Sequence, residues 1–443
     1  MPGEKSLQKW GIFSCKKHIN RPITRYDIRK VYEVIQNIQP ELELYDEAQH
    51  LMVYLKKLNA LLNDLDYTSP FLPAFEPGFK LSDELKRFFE NAYLENDVEI
   101  LEHIASLVRK GGVLRTEKVK IKLEAQAITI DYVDFTKLKG LKTIIFDGTA
   151  KYDVEYKDEQ FAILELPDIR SYNNLTIYNC PINMSRTNVL SKRSSERFDF
   201  QELFGDLESI NGKEVLVLTY EKLINTVKKG MENTKFCENN RVYLDHYNNI
   251  KGKNIYANCT VLLNIGINYK GHAYYIAKSI SLGEDFSDIN EGEDKIRMLN
   301  KKIMPIIESD LFTEIIQNFF RTALRKSSDE RIEVYSFITN SRLLNLLKEY
   351  FVNATVETWY PEEFYKHYLM CGTEHDQRLL KLSSFLKTSF SSKLVVTKKE
   401  IRETLGYIDQ DTLANHLKTD YIKYILRKLN IKEKYHSLQK DIC

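Results

Sequence analysis

The sequence predicts an α/β protein: a parallel β-sheet with helices on both faces, set between a helical N-terminal region and a helical C-terminal region. Three observations carry this. Between residues 174 and 340, short apolar runs of strand length alternate with helical stretches, as when parallel strands are joined through covering helices. On either side of that stretch, apolar residues recur at three- and four-residue spacing. Glycine (17) and proline (10) are scarce among 443 residues, which leaves little room for low-complexity segments.

Residues 1–140 form the first region. Val31, Val34, Ile35 and Ile38 predict one helix, and Leu51, Leu55, Leu58 and Leu62 another. Pro70, Pro73 and Pro77 interrupt the pattern. Leu81, Leu85, Phe88, Phe89 and Tyr93 restart it, and a helix through Ile100, Leu101, Ile104 and Leu107 stops at Gly111-Gly112. The period then changes to two. Val119, Ile121 and Leu123 predict one strand of a small sheet, and Ile128, Ile130 and Tyr132 another.

Residues 141–342 form the second region. An apolar run at 141–146 predicts a strand running into the polar turn Asp147-Gly148-Thr149-Ala150. Further strands are expected at 175–178, 215–220, 242–244, 260–265 and 332–338; 203–210 and 220–231 flank the second of these, the latter as a helix, and one or two helices lie within 295–326. On one helix over 311–325, Gln317, Arg321 and Arg325 would form a stripe of one amide and two guanidiniums. Residues 343–443 are expected to be helical. Thr397 with Glu400 has the pattern of a helix N-terminus, Gly406 that of a stop, and a second helix is expected over 413–429, together a helix-turn-helix.

Net charge is +1 with the signs mixed, so any nucleic-acid contact must come from a local patch. One such patch is the tail from residue 391 onward, with 11 Lys and Arg against 7 Asp and Glu. Lys418, Lys423, Arg427 and Lys428 are its candidate contacts. The six cysteines contain no CxxC pair and fit a reducing cytoplasm. His367, Cys371 and His375 recur every four residues, but Gly372 interrupts their helix and no fourth ligand is near, so no metal is assigned. No signal peptide and no membrane span is expected.

The order of features in the second region resembles the second half of superfamily 2 helicases of the DEAD/DEAH type. Phe146-Asp147-Gly148-Thr149-Ala150 looks like motif III. The run Val215-Leu216-Val217-Leu218-Thr219-Tyr220 looks like motif IV, and His246 through Tyr256, with its Gly252-Lys253-Asn254 element, looks like motif V. Gln317 through Arg325 looks like motif VI. The resemblance implies a RecA-like motor domain in which Gln317, Arg321 and Arg325 serve catalysis, one arginine as the finger. Asp147, Thr149, Gly252 and Asn254 would couple to the nucleotide, and Thr219, Lys251 and Lys253 would contact nucleic acid. Arg321 is the preferred finger because it keeps the family's distance from Gln317, whereas Arg325 stands one residue too far along.

A complete motor of this kind also needs a phosphate-binding loop and an Asp-Glu pair for magnesium. Neither Gly3-Glu4-Lys5-Ser6 nor Lys110-Gly111-Gly112-Val113 has the required pattern, and Asp46-Glu47 is preceded by no buried strand. The expectation is therefore a subunit that is silent alone. It would complete a composite ATP·Mg²⁺ site with a P-loop first motor domain on a separate chain, acting on DNA. The alternative is a non-catalytic nucleic-acid-binding or scaffold protein built on a degenerate motor domain.

Overall fold

The computed structural model describes residues 23–36, 43–63, 71–72, 74–92, 95–119, 122–129, 145, 147–157, 161–164, 170–192, 194–247, 249–250, 252–284, 295–326, 330–407 and 409–441. The chain forms two compact units. One comprises Met1–Glu165 and Lys270–Asp310, the other Leu166–Tyr269 and Leu311–Cys443. The sequence boundaries at 140 and 342 follow element type. Compactness instead groups Asp147 and Thr149 with the N-terminal helices.

In the first unit, helices Arg25–Gln36, Glu43–Asn63, Asp83–Ala92 and Glu95–Lys110 form where the apolar periodicity placed them. Their inward stripes, among them Val31, Leu51, Leu55, Leu85, Phe89, Leu101 and Ile104, make one core. Asp46-Glu47 lies inside a helix, not after a strand. Gly111, at φ +72, lets the last of these helices stop and β2 (Gly112–Val119) begin; β1 is Phe71–Leu72. β2 pairs with β3 (Lys122–Thr129) in an antiparallel hairpin that reverses between Val119 and Lys122. The strand expected around Val119, Ile121 and Leu123 therefore straddles the reversal, because the alternation runs on unbroken through it. The strand expected at 141–146 falls outside the described residues except for Ile145, which is in no strand.

The second unit holds a six-stranded parallel sheet, covered by helices in the α/β, RecA-like manner. Its strands are β4 (Leu175–Asn179), β5 (Glu214–Thr219), β6 (Arg241–His246), β7 (Val261–Asn264), β8 (Ile332–Ser336) and β9 (Thr355–Thr358). Their order is β6-β5-β7-β8-β4-β9. The central strands read as apolar runs because both faces are covered; Val215 through Leu218 and Val261 through Leu263 are all buried. β9, on the edge, lies beyond residue 342 in the stretch read as purely helical. Its residues are mostly exposed, so it has no apolar run to announce it.

The C-terminal stretch contains helices Ser341–Tyr350, Glu362–Met370, Glu374–Ser392, Lys398–Leu405, Gln410–Leu417 and Asp420–Lys428. Thr397 accepts the Glu400 N–H at 3.1 Å, and Gly406 adopts the left-handed conformation at φ +68, as their types suggested. The single helix expected over 413–429 is instead two, broken at Lys418 and Thr419, where the Thr419 hydroxyl donates to His416 O at 2.7 Å. A small antiparallel sheet, β10 (Val395–Thr397), β12 (Ser437–Lys440) and β11 (Ile431–Glu433), closes the module. Among the described residues, no helix is long and apolar enough to cross a membrane.

Candidate functional site

All six strands of the parallel sheet end at one edge. In such sheets ligands gather outside the carboxyl ends, where the strand order reverses. Register fixes what stands there. Asp245, Leu218, Asn264, Ser336, Asn179 and Thr358 are neighbours across the six strands and so share a face. Five of the six are polar, and all of those but Thr358 are buried. Ser336 Oγ donates to Asn179 Oδ1 at 3.0 Å, and Asn179 pins the chain beyond β8 through Ile338 O and Ile338 N–H. Asn264 Nδ2 reaches Gly266 O at 3.3 Å, while its Oδ1 is buried without a partner.

Asp245 organises the loop that resembles motif V. Its carboxylate accepts hydrogen bonds from Tyr256 Oη, from Asn249 Nδ2 at 2.8 Å, from Lys253 Nζ at 3.0 Å and from the His246 N–H at 2.7 Å. Burial alone would push this carboxyl up, but the donors outweigh burial and hold it below the usual carboxylate range. Lys253 therefore balances a charge of the protein itself. Gly252 sits at φ +79 with open space where a Cβ would be, so its glycine serves the backbone turn and not a close approach. Lys251 lies outside the described residues. In the same loop, Asn254 Oδ1 accepts from Arg325 Nη1 at 2.7 Å, joining two residues that the sequence proposed separately.

Gln317, Arg321 and Arg325 do not form a helical stripe. The helix Lys295–Phe319 ends before Arg321, and Arg325 closes the separate 3-10 turn Ala323–Arg325. Thr322 is the cause. Its hydroxyl donates to Phe319 O at 2.6 Å and accepts from the Leu324 N–H at 3.3 Å, while the Ala323 N–H donates to Cys259 O at 2.9 Å. Those bonds compete with helix continuation. Gln317 and Arg325 are exposed and Arg321 half-buried. Arg321 lies in the turn between the two elements, and the residue joined to Asn254 is Arg325.

Thr219 is wholly buried at the end of β5, and its hydroxyl has no hydrogen-bond partner among the described residues, so it offers no surface contact in this conformation. Beside it, Tyr220 and Tyr247 fill the crevice between β5 and β7, where the strand order reverses. Tyr220 Oη lies 2.8 Å from Ile267 O and 3.1 Å from Met184 O, and accepts from the Ile267 N–H at 3.0 Å. Tyr247 Oη lies 2.8 Å from Gly266 O and 3.0 Å from Ile265 O. Burial pushes the Tyr220 hydroxyl up to about 12, so it stays protonated. The space left is a cavity of about 50 Å³, bordered by Arg186, Lys222, His246 and Asn268. Ligand pockets run to roughly 300 Å³ and more, so this crevice is small by comparison.

Lys418, Lys423 and Arg427 are all exposed. Lys428 is paired to Glu362 at 3.7 Å. His367 and Cys371 approach to 3.6 Å, but His375 turns to His416, 3.0 Å away, and no group of three metal-ligating side chains occurs among the described residues.

Asp147 and Thr149 belong to the other compact unit. Asp147 Oδ1 accepts the Thr149 N–H at 2.8 Å and the Thr149 hydroxyl at 2.7 Å, and its Oδ2 accepts Tyr156 Oη at 3.0 Å. The carboxylate thus holds its own turn. Nearby Asp153 is pushed up to about 6, first by burial and then by the negative charge of Glu155; Lys278 opposes the shift. The folded chain therefore keeps a proton there that the unfolded chain gives up near pH 4. Stability is lost as pH rises from about 4 through 6. Asp153→Asn is expected to raise the thermal midpoint above pH 7 and to leave it unchanged below pH 4. An equal effect at both pH values in thermal unfolding would refute this.

Comparison with known protein families and with curated proteins gives no match. Among solved structures, the "Structure of S. tokodaii Xpd4" overlays with a TM-score of 0.38 and 12% identity, covering 76% of this chain and 71% of that one. A structure named XPD helicase overlays with a TM-score of 0.38 and 14% identity, covering 76% of this chain and 65% of that one. The chain thus spans just under two thirds of the second structure's length. The RecA-like arrangement rests on the strand order and parallel register, not on these overlays.

Proposed function

We propose that the sheet-containing unit is the second motor half of a superfamily 2 type, nucleic-acid-dependent ATPase acting on DNA. The crevice at the strand-order reversal is small, about 50 Å³, which supports a nucleotide site completed by a second domain. In this reading ATP and Mg²⁺ sit on a surface shared with a P-loop first motor domain. The observation that carries this reading is the Arg325–Asn254 hydrogen bond, which ties the segment resembling motif VI to the loop resembling motif V. An exposed guanidinium with one nitrogen held by an amide is oriented, permanently charged and shaped for phosphate oxygens. Through Asn254 and the Asp245-centred loop, its position is linked to the backbone around Gly252 and Lys253. The four described cysteines are free thiols, which supports placing the protein in the cytoplasm.

The test is DNA-stimulated ATP hydrolysis by the chain together with a separately supplied P-loop first motor domain of the same helicase type. The chain alone is expected to be inactive. In the complex, Arg325→Ala is expected to lower turnover by about 10³-fold, the scale of an arginine finger, and Arg321→Ala by far less. Full activity of the Arg325→Ala complex would sink the assignment.

A second reading is a nucleic-acid-binding or scaffold protein on a degenerate motor domain. Tyr220 and Tyr247, filling the switch-point crevice, favour it. It predicts DNA binding with no hydrolysis in any such complex.

A further inference from the structure

The C-terminal module has a form that the helix periodicity did not reveal. In chain order it runs helix Glu374–Ser392, strand β10, three helices Lys398–Leu405, Gln410–Leu417 and Asp420–Lys428, then the hairpin β11–β12. The last strand lies in the middle of the sheet, between β10 and β11. This is a winged helix: a helix-turn-helix with a hairpin following its last helix.

That helix buries Tyr421, Ile422, Ile425 and Leu426 on one side. On the other it exposes Lys423 and Arg427, one turn apart. Its one carboxylate, Asp420, is in the first turn, where it complements the helix dipole. Lys418 is exposed just ahead of it. At the hairpin end stand exposed Lys434, His436 and Tyr435, the tyrosine 82% exposed. Among the described residues, Lys418, Lys423 and Lys434 make no ion pair, and Arg427 reaches only the backbone oxygen of Lys423 at 3.3 Å. In the same module, Lys393, Lys398 and Lys399, and Lys432 in the hairpin itself, are matched with carboxylates. Lys381, Arg402 and Lys440 have no carboxylate partner among the described residues either, but Lys418, Lys423, Arg427 and Lys434 are the exposed ones that stand on the last helix, just ahead of it and at the hairpin turn.

We infer that this face binds double-stranded DNA, with helix Asp420–Lys428 in the major groove and the hairpin end against the neighbouring backbone. The unmatched cations complement phosphates. The major groove of B-form DNA, about 12 Å wide, admits a helix, whereas that of A-form RNA is too narrow and deep. The inference rests on the reading of this chain as nucleic-acid-bound, and is independent of ATP hydrolysis.

The test uses the full chain and fluorescence anisotropy with a labelled DNA duplex, an RNA duplex of the same sequence and the DNA single strand, across a salt series. The wild type is expected to prefer duplex DNA. The double variant Lys423→Glu, Arg427→Glu is expected to bind duplex DNA at least about tenfold more weakly, with a salt slope lower by about two. Its single-strand affinity and thermal midpoint should be unchanged, because both side chains are exposed. Lys434→Ala is expected to reduce the slope by about one. Unchanged duplex affinity in the double variant, or equal wild-type affinity for the RNA duplex, overturns the assigned surface alone. Failure of the wild type to bind any nucleic acid overturns the underlying reading with it.

Discussion

Gly266→Ala is expected to destabilise the sheet-containing unit by about 3 kcal/mol, lowering its thermal midpoint by roughly 6–12 °C. Two costs add. Gly266 sits at φ +97, a conformation that side chains with a Cβ disfavour. A Cβ there would also come within 2.6 Å of Tyr220 Oη and 2.7 Å of its ring. The ring has no easy retreat. It is buried, its hydroxyl is bonded to the Ile267 backbone, and Tyr247 packs against it with ring centroids 5.4 Å apart. Gly252→Ala is the control, since it carries a positive φ with open space around it. It should show the conformational cost without the clash. Equal midpoints for the two variants would contradict this account.

Asp245→Ala should cost a similar amount, about 3 kcal/mol, for a different reason. The variant leaves the buried Tyr256 hydroxyl without its acceptor and Lys253 without its counter-charge. The loop from Asn249 to Tyr256 loses its anchor, and with it the Asn254 amide that holds Arg325. Asp245→Asn keeps the shape but not the charge and should fall between. The pH dependence follows from the depressed pKa. The carboxylate's contribution is fully present above the ordinary value near pH 4, and is lost as pH falls through the lower folded-state value. Acid unfolding of Asp245→Asn should accordingly be less steep than that of the wild type. Hydrogen exchange at the loop amides reads the same effect locally; protection unchanged by Asp245→Ala would refute the hub.

Much of the fold was legible because burial leaves a pattern. β5 and β7 are covered on both faces and so are written as apolar runs, β4 buries Leu175 and Ile177 in alternation, β8 buries Ile332, Val334 and Tyr335, and the N-terminal helices each carry an inward stripe. β9 and the hairpin β11–β12 were not legible. Thr355-Val356-Glu357-Thr358, Ile431-Lys432-Glu433 and Ser437-Leu438-Gln439-Lys440 are short and largely solvated, and their strand character comes from their partners. The site was legible in composition but not in geometry. Periodicity runs through Thr322 as if the helix continued, and only the side-chain bond to Phe319 O reveals the stop. Asp245 escaped notice for the opposite reason. A carboxylate at a strand end is usually a solvated residue; its burial becomes visible only when Asn249, Lys253 and Tyr256 fold back upon it.

The strand order has a consequence for synthesis. β4 is the first strand of its sheet to leave the ribosome, yet it pairs only with β8 and β9. Asn179 meets Ser336 across 157 positions of chain. At about 5–20 residues per second, β4 waits roughly 8–30 s with Leu175 and Ile177 uncovered and both its edges open. Meanwhile β5, β6 and β7 can already assemble with one another. The nascent protein thus passes through a stage in which half a sheet exists beside an orphan strand. Chaperone capture or misassembly is expected to act at that stage, between emergence of residue 264 and emergence of residue 336.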